Sequence, residues 1–377
     1  MKVIYARSTA IYNDSRATKE IKALLKHGYH VTVLAWDREG ISEDKIKNVF
    51  NSDLLSIHLF KKELKHGSGI KGLFKTLSFC RWINKNIKIL RKETNIVHLC
   101  DLDTALFSYK TIKKLKLKLV YDIYDYYTDS RTFPKLIETY LRWKESKIIE
   151  SSDATIICTE QRKEQIGKAK YNKLEVIHNS PEDILNQIKP AKLKVPENCK
   201  IITSFIGVLS ENRLLEEILD KIDSQSSNDI FWIFAGQGMY RNKIEQLASH
   251  NKNVIYLGSL PYSEVLSIEQ QCDFLFATYN PKIKNHKYSA PNKVYEAMML
   301  EKPVIVCEET GIDKLVLENG IGLTTDYSAE SFFNKIAYLK DNPIIATEMG
   351  KKARNLYKES FSWEIMESRI KKMYEKL

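Results

Sequence analysis

Residue types suited to chemistry are densest between positions 288 and 305. There Tyr288-Ser289-Ala290-Pro291-Asn292-Lys293-Val294-Tyr295-Glu296 runs on through Ala297-Met298-Met299-Leu300-Glu301-Lys302 to Pro303-Val304-Ile305. Pro291 suits the first turn of a helix, and Pro303 ends that helix before a buried strand. Ser289, Ala290, Asn292 and Lys293 then line an amide-rich helix entrance of the kind that holds phosphate. Glu296 stands one turn further in, where a carboxylate can accept two hydrogen bonds from a ribose diol. Taken alone, Glu296 reads equally well as a surface helix residue. A second loop, Gly207-Val208-Leu209-Ser210-Glu211-Asn212-Arg213, leads from an apolar run into a helical one over 214–222. It offers free amides, a positive dipole end and the planar donor fork of Arg213. A third, Gly236-Gln237-Gly238, also opens a helix, but Arg241 stands where a dinucleotide fingerprint needs its third glycine. No such loop follows the first strand of the chain either, which disfavours a nicotinamide dehydrogenase. Asp101-Leu102-Asp103 has the spacing of a metal-binding acidic pair, but two oxygens need further ligands to hold Mg²⁺ or Mn²⁺. No metal is expected.

The elements that must position these loops alternate. Short β-rich runs at 3–6, 30–35, 55–60, 96–99, 119–122, 155–158 and 175–177 are separated by helical stretches, and the pattern repeats at 201–205, 230–235, 254–257, 274–277 and 304–307. Near-continuous apolar strands between helices predict parallel sheets covered on both faces. In the first crossover, Asp14 or Ser15 can cap a helix carrying Ile21, Leu24 and Leu25 on one face, and Gly28 sits at its C′ position. At 377 residues one core is improbable, because cores stop growing near ~250–300 residues. Residues 185–200 are polar, hold Pro190 and Pro196 and show no periodicity, so the spacing predicts domains over 1–184 and 201–360 with a linker between them. Ligands bind beyond the carboxyl ends of such strands. Two facing sheets would place the chemistry in a cleft between domains.

Residues 1–184 contain 34 Lys+Arg against 23 Asp+Glu, while the rest of the chain is balanced at 25 of each, so the net charge of +11 belongs to the first half. Residues 61–92 carry ten basic residues and the single acid Glu63, interleaved with Ile70, Leu73, Phe74, Leu77, Phe79, Trp82, Ile83 and Ile87, and 110–118 adds five lysines. That pattern suits an amphipathic helix on an anionic membrane surface, or equally a solvated helix packed on its own core. No nucleic-acid motif accompanies the charge. The start of the chain lacks a signal-like apolar stretch, and the six cysteines form no CxxC or Cys/His cluster, so a reducing cytoplasm is expected.

The segment 292–305 resembles the donor-binding helix of retaining GT-B glycosyltransferases of family 4. So does the order of Asp14-x-Arg16, Tyr121-Asp122-Ile123-Tyr124-Asp125, Val176-Ile177-His178-Asn179, Phe205-Ile206-Gly207, Ala235-Gly236-Gln237-Gly238 and Leu257-Gly258-Ser259-Leu260-Pro261. Phe361-Ser362-Trp363 is similar to the family's tail, whose last helix, here 361–377, crosses back onto the first domain. The resemblance implies an α/β fold of two facing Rossmann-like doubly wound domains, and transfer of a sugar from a nucleoside diphosphate with retention and without a cofactor or metal. Glu296 would hold the ribose. Arg213, Lys293 and the amides of Ser289, Ala290 and Asn292 would hold the diphosphate, with Gly207, Gly236, Gly238, Ser259 and Leu260 completing the donor site. Asp14, Arg16, Tyr124 and Asp125 would serve the acceptor side, Tyr124 and Asp125 as catalytic residues alongside Arg213 and Glu296. Three departures stand out. Tyr288 replaces the first glutamate of the family's E-x7-E pattern, Val208 replaces its usual arginine, and Tyr124 stands where relatives often have histidine. The basic first half points to a lipid-linked acceptor, to surface polysaccharide or glycolipid synthesis and to peripheral attachment on the inner face of the cytoplasmic membrane through 61–92. The departures keep open a non-catalytic GT-B partner subunit. A nucleotide-sugar epimerase of the same architecture, which needs no acceptor, is a weaker alternative.

Overall fold

The apolar runs assemble into two all-parallel sheets. The first holds β1 (Lys2–Arg7), β2 (His30–Asp37), β3 (Leu55–Lys61), β4 (Ile96–Cys100), β5 (Lys118–Ile123), β6 (Ala154–Ile157) and β7 (Leu174–Val176) in the order β3-β2-β1-β4-β5-β6-β7. The second holds β8 (Ile201–Ile206), β9 (Ile230–Ala235), β10 (Val254–Tyr256), β11 (Phe274–Ala277), β12 (Val304–Cys307) and β13 (Gly322–Thr325) in the order β10-β9-β8-β11-β12-β13. This computed structural model describes residues 1–12, 14–38, 40–64, 69–224 and 229–377, with backbone alone at 69–71 and 73. Strand order reverses between β1 and β4 and between β8 and β11. In doubly wound sheets, crevices for ligands open at the carboxyl ends of such strand pairs.

The chain divides into two units, Met1–His178 with Met366–Leu377, and Asn179–Ile365. The crossing therefore falls at 178/179, and residues 185–200 are no free linker. Leu185 and Ile188 pack on one core cluster of the second unit. Ala191, Leu193, Val195 and Cys199 pack around Phe231, Ile233 and Ile268. Their apolar side chains are too irregularly spaced to read as a helix or strand, yet they cover a sheet face. The chain returns to the first unit at Met366, where Tyr374 Oη lies 2.6 Å from His98 Nδ1 and Arg369 donates to the Val176 carbonyl at 2.9 Å.

Local signals account for several boundaries. Asp14 caps the helix Ser15–Lys26 by accepting from the Ala17 amide at 3.2 Å, and Gly28 turns the chain at φ +77°. Strand β13 was not expected, because Gly322-Leu323-Thr324-Thr325 presents one large apolar residue. It forms because a backbone without Cβ can lie against β12: a Cβ on Gly322 would meet the Val304 carbonyl oxygen at 1.9 Å.

The helix Gly69–Leu90 divides the apolar residues of 61–92 between core and surface. Phe79, Ile83 and Ile87, at helical spacing, are fully buried against the first unit's own core, where the Phe79 ring stacks on Trp36 at 5.0 Å. Trp82 packs on the same cluster. One apolar face of the pattern is thus engaged inside the unit, while Phe74 and Ile89 are exposed, at 67 and 64 %. Residues 65–68 and the side chains of Ile70 and Leu73 lie outside the described residues.

One buried carboxyl gives this unit a pH signature. Glu145 accepts from the Tyr121 hydroxyl at 2.8 Å, and burial pushes its carboxyl up to about 8. The folded state holds that proton between about 4.5 and 8, where the unfolded chain has lost it, so stability falls as pH rises through this window. Glu145→Gln is expected to keep the Tyr121 bond and flatten that fall, measured as denaturant midpoints across the window. An unchanged slope would contradict the assignment.

Candidate active site

In the second unit the site is built where β8 and β11 end. Three loops lie across one another as backbone layers. Leu209 N–H donates to Gln237 O at 2.9 Å, Gly207 N–H to Ala235 O at 3.0 Å and Gly236 N–H to Gly258 O at 2.7 Å. Gln237 Nε2 donates to Ser259 Oγ at 2.9 Å. Gly236 and Gly238 are there for this contact. A Cβ on Gly236 (φ +120°) would lie 1.8 Å from Gly207 O, and one on Gly238 (φ +155°) 2.1 Å from Leu209 O. The Gly236 amide is therefore taken by the Gly258 carbonyl. Gly236→Ala must move two backbones as well as strain its own, at a cost of about 2 kcal/mol or more. The second unit's Tm is expected to drop by about 5 °C or more, read by calorimetry. A wild-type melt would overturn the layered reading.

Arg213 leaves these layers on a constrained turn. Asn212 and Leu214 both hold left-handed backbone, at φ 62° and 57°. Such conformations persist in non-glycine residues only when the surroundings impose them. Thr278 Oγ1 donates to Arg213 O at 2.6 Å, Asn280 N–H to Asn212 O at 3.1 Å, and Leu214 N–H to the Tyr327 hydroxyl at 2.9 Å. The guanidinium stacks on Tyr279, its carbon 3.6 Å from the ring centroid, and its buried Nη1 has no hydrogen-bond partner among the described residues. A buried, positively charged donor with no acceptor is costly unless a ligand supplies one.

The helix Asn292–Met299 starts after Pro291, and its first turn leaves amides without intrahelical partners. Here the structure corrects one assignment. The Lys293 ammonium is no free second cation: it pairs with the fully buried Glu269 and lies 3.4 Å from Glu296 Oε2. Those carboxylates hold it charged, well above its ordinary value against the pull of burial. Burial pushes the Glu269 carboxyl up, the Lys293 ammonium pulls it back, and the neighbouring Glu296 charge adds to the rise. Tyr262 reaches the same cluster. Burial, then the Glu296 and Glu269 charges, raise its hydroxyl above the usual range. Glu296, 4 % exposed, is therefore held by Lys293 beside Tyr262. Ser289 and Ala290 are half-buried, and Asn292 Oδ1 accepts from Asn179. Glu269, Tyr262 and Tyr279 were missed. The one signal for the first two is their i, i+7 spacing on the helix Tyr262–Glu269, just after Ser259-Leu260-Pro261.

In the first unit, four strand ends bring their polar residues together. Arg7 pairs with Asp14, at 2.8 Å, and with Asp101. Arg16 pairs with Glu20 at 2.9 Å and Asp122 at 2.6 Å. Both guanidiniums lie over the Tyr124 ring, at 3.8 and 4.5 Å, and Tyr124 Oη meets Tyr5 Oη at 2.8 Å. Arg16 is buried with its fork occupied, and Asp14 is both helix cap and Arg7 partner. These two support Tyr124 rather than offer free groups to an acceptor. Asp125 is different: its side chain is 55 % exposed, with Arg162 Nη2 at 3.2 Å. Asp101, at φ 61°, receives Arg7 on one oxygen and the Tyr124 and Asp125 amides on the other, so both its oxygens are engaged. His98, Cys100 and Asp122 place one donor atom each within 4.8 Å of one another, but Asp122 already holds Arg16 and His98 Nδ1 holds Tyr374. That donor set fits an ion-pair and hydrogen-bond network.

Two doubly wound α/β units of this topology define the GT-B fold of glycosyltransferases. Over 100% of the chain the structure is similar to sucrose-phosphate synthase from Thermosynechococcus elongatus, with a TM-score of 0.75, 14% identity and 98% of that chain covered. It is also similar to Alr3699/HepE of Anabaena, solved with UDP and glucose, with a TM-score of 0.74, 13% identity and 100% of both chains covered. Residues 186–356, within the second unit, match the family model of the glycosyl transferases group 1. An uncharacterized glycosyltransferase of Methanocaldococcus jannaschii, MJ1069, is 24% identical over 194 residues, 49% of this chain and 48% of that protein. The match spans about half the length of that curated relative.

Proposed function

We propose that the chain is a retaining, family 4-like glycosyltransferase that moves a sugar from a nucleoside diphosphate sugar to an acceptor hydroxyl, without a metal ion or cofactor. The observation that carries this reading is Arg213, whose buried Nη1 has no acceptor among the described residues, at the strand ends where β8 and β11 diverge. Breaking the bond between sugar and diphosphate places negative charge on the leaving phosphate while the sugar becomes oxocarbenium-like. Catalysis then consists of stabilising that charge and positioning the incoming hydroxyl. Arg213 receives the charge together with the first-turn amides at Asn292 and Lys293. Glu296, braced by Lys293 beside Tyr262, accepts from the ribose diol. The backbone at Ser259 and Leu260 contacts the base. Asp125, exposed beside Tyr124, is the acceptor-side carboxylate. The neighbouring HepE structures hold UDP or UDP-glucose, so UDP-sugars are the first donors to try. The basic first half supports a lipid-linked glycan acceptor in surface polysaccharide or glycolipid synthesis and a place on the inner face of the cytoplasmic membrane. Among the described residues no helix is long and apolar enough to cross a membrane.

The test is release of nucleoside diphosphate from UDP-, GDP-, ADP- and dTDP-sugars by the purified chain, with labelled sugar followed into added lipid extract. Release with one donor, and label in the lipid fraction, is expected. A folded chain inert towards every donor would favour the non-catalytic partner subunit, which Tyr288 and the 68 % exposed Val208 already suggest. A donor converted without any acceptor would favour an epimerase.

A further inference from the structure

The helix Lys135–Ser151 is covered along only part of its length. Its later turns bury Glu145, Ile148 and Ile149. Its first turns do the opposite: Leu136 is 86 % exposed, and Ile137, Tyr140 and Trp143 are each about half exposed, at 49, 52 and 51 %. On a helix, 136, 140 and 143 fall along one stripe with 137 at its edge. Four large apolar or aromatic side chains at helical spacing, left in water, need a partner.

The charges around the stripe identify its kind. Each acid of the helix is neutralised or hidden: Glu138 holds Arg142 at 3.1 Å, Glu150 holds Lys147 at 2.7 Å, and Glu145 is buried on Tyr121. Lys135 and Lys144 border the stripe with no carboxylate partner among the described residues. Lys144 Nζ hangs over both rings, 5.5 Å from Tyr140 and 5.1 Å from Trp143. Arg131, just before the helix, lies over Tyr127 at 4.0 Å. A protein interface of this kind would be depleted in lysine and would need about 800 Å² per partner, more than four side chains supply. Trp and Tyr beside Leu and Ile, ringed by unpaired lysines, is the composition of a helix lying in a bilayer interface, with aromatic rings at headgroup level and cations on lipid phosphates.

We propose that this stripe, Leu136, Ile137, Tyr140 and Trp143 with Lys135 and Lys144, is the surface by which the first unit docks on an anionic lipid bilayer. Among the described side chains the helix Gly69–Leu90 offers no comparable stripe: Phe79, Ile83 and Ile87 are buried, and the exposed Phe74 and Ile89 stand far apart along it. The docking rests on the membrane placement proposed above and names its surface, but it does not depend on the transfer reaction: an inert chain would still bind vesicles.

The experiment uses the full chain with vesicles of phosphatidylcholine alone and of phosphatidylcholine mixed with phosphatidylglycerol. The chain is expected to sediment with the mixed vesicles only, with a blue shift in tryptophan emission. The triple variant Leu136→Ser/Tyr140→Ser/Trp143→Ser should weaken partitioning at least tenfold. Lys135→Glu/Lys144→Glu should weaken it about tenfold at low salt and little at high salt. Because all five side chains lie at the surface, both variants should melt as the wild type does. Equal sedimentation with both vesicle types, or wild-type partitioning by both variants, would overturn the proposal. So would a wild-type dimer in solution that the triple variant converts to monomer, since the stripe would then bind a second copy.

Discussion

Arg213→Ala is expected to lower kcat/KM for the best donor about 10²–10³-fold with little change in Tm. That is the usual loss when one preorganised donor is removed from a developing negative charge. The loss should appear in kcat as much as in KM, because the charge on the bridging phosphate oxygen grows only as the bond breaks. Stability should hold. The side chain is half-buried, its Nη1 has no acceptor among the described residues, and the turn is fixed through the backbone atoms of Asn212, Arg213 and Leu214. Arg213→Lys should recover only part of the activity, since an ammonium keeps the charge but not the planar fork stacked on Tyr279. An alanine variant with wild-type turnover would remove Arg213 from the reaction.

Glu296→Ala is expected to weaken nucleoside diphosphate binding about tenfold to a hundredfold, the worth of one or two hydrogen bonds to a charged acceptor. Because a ribose contact is present in both ground and transition states, the effect should fall on KM more than on kcat. The variant should fold. Removing Glu296 leaves Lys293 with its Glu269 partner, so no buried charge is stranded. Glu296→Gln, which keeps the shape and one acceptor oxygen, should fall between alanine and wild type. Unchanged affinity in both variants would place the ribose elsewhere.

Much of the fold was legible because parallel strands buried on both faces are continuous apolar runs, and 230–235, 274–277 and 304–307 were read to the residue. β13 was not, because its place depends on a backbone approach at Gly322 rather than on its own hydrophobicity. The 61–92 pattern shows the limit of a periodicity argument. Spacing reveals that Phe79, Ile83 and Ile87 share a face, but not whether that face meets a sheet or a membrane. The converse case, Leu136 to Trp143, looks like an ordinary helix in sequence and is exposed in the structure. In the candidate site, the loops that carry Arg213 and Glu296 could be read locally, but the partners of their neighbours could not. Lys293 was misread, because the carboxylate that engages it, Glu269, lies 24 residues away. Arg16 was misread for the same reason, its partner Asp122 being 106 residues distant. Pairing across such separations is a property of the fold, and nothing local announces it.

The account rests on a nucleoside diphosphate bound by the second unit through Arg213 and Glu296. Calorimetric titration of UDP, ADP and GDP into the full chain, Arg213→Ala and Glu296→Ala tests this most directly. One nucleotide should bind one-to-one and saturably to the wild type, and each variant, melting normally, should bind it at least tenfold more weakly. No heat with any nucleotide, or equal affinity in all three proteins, would contradict it.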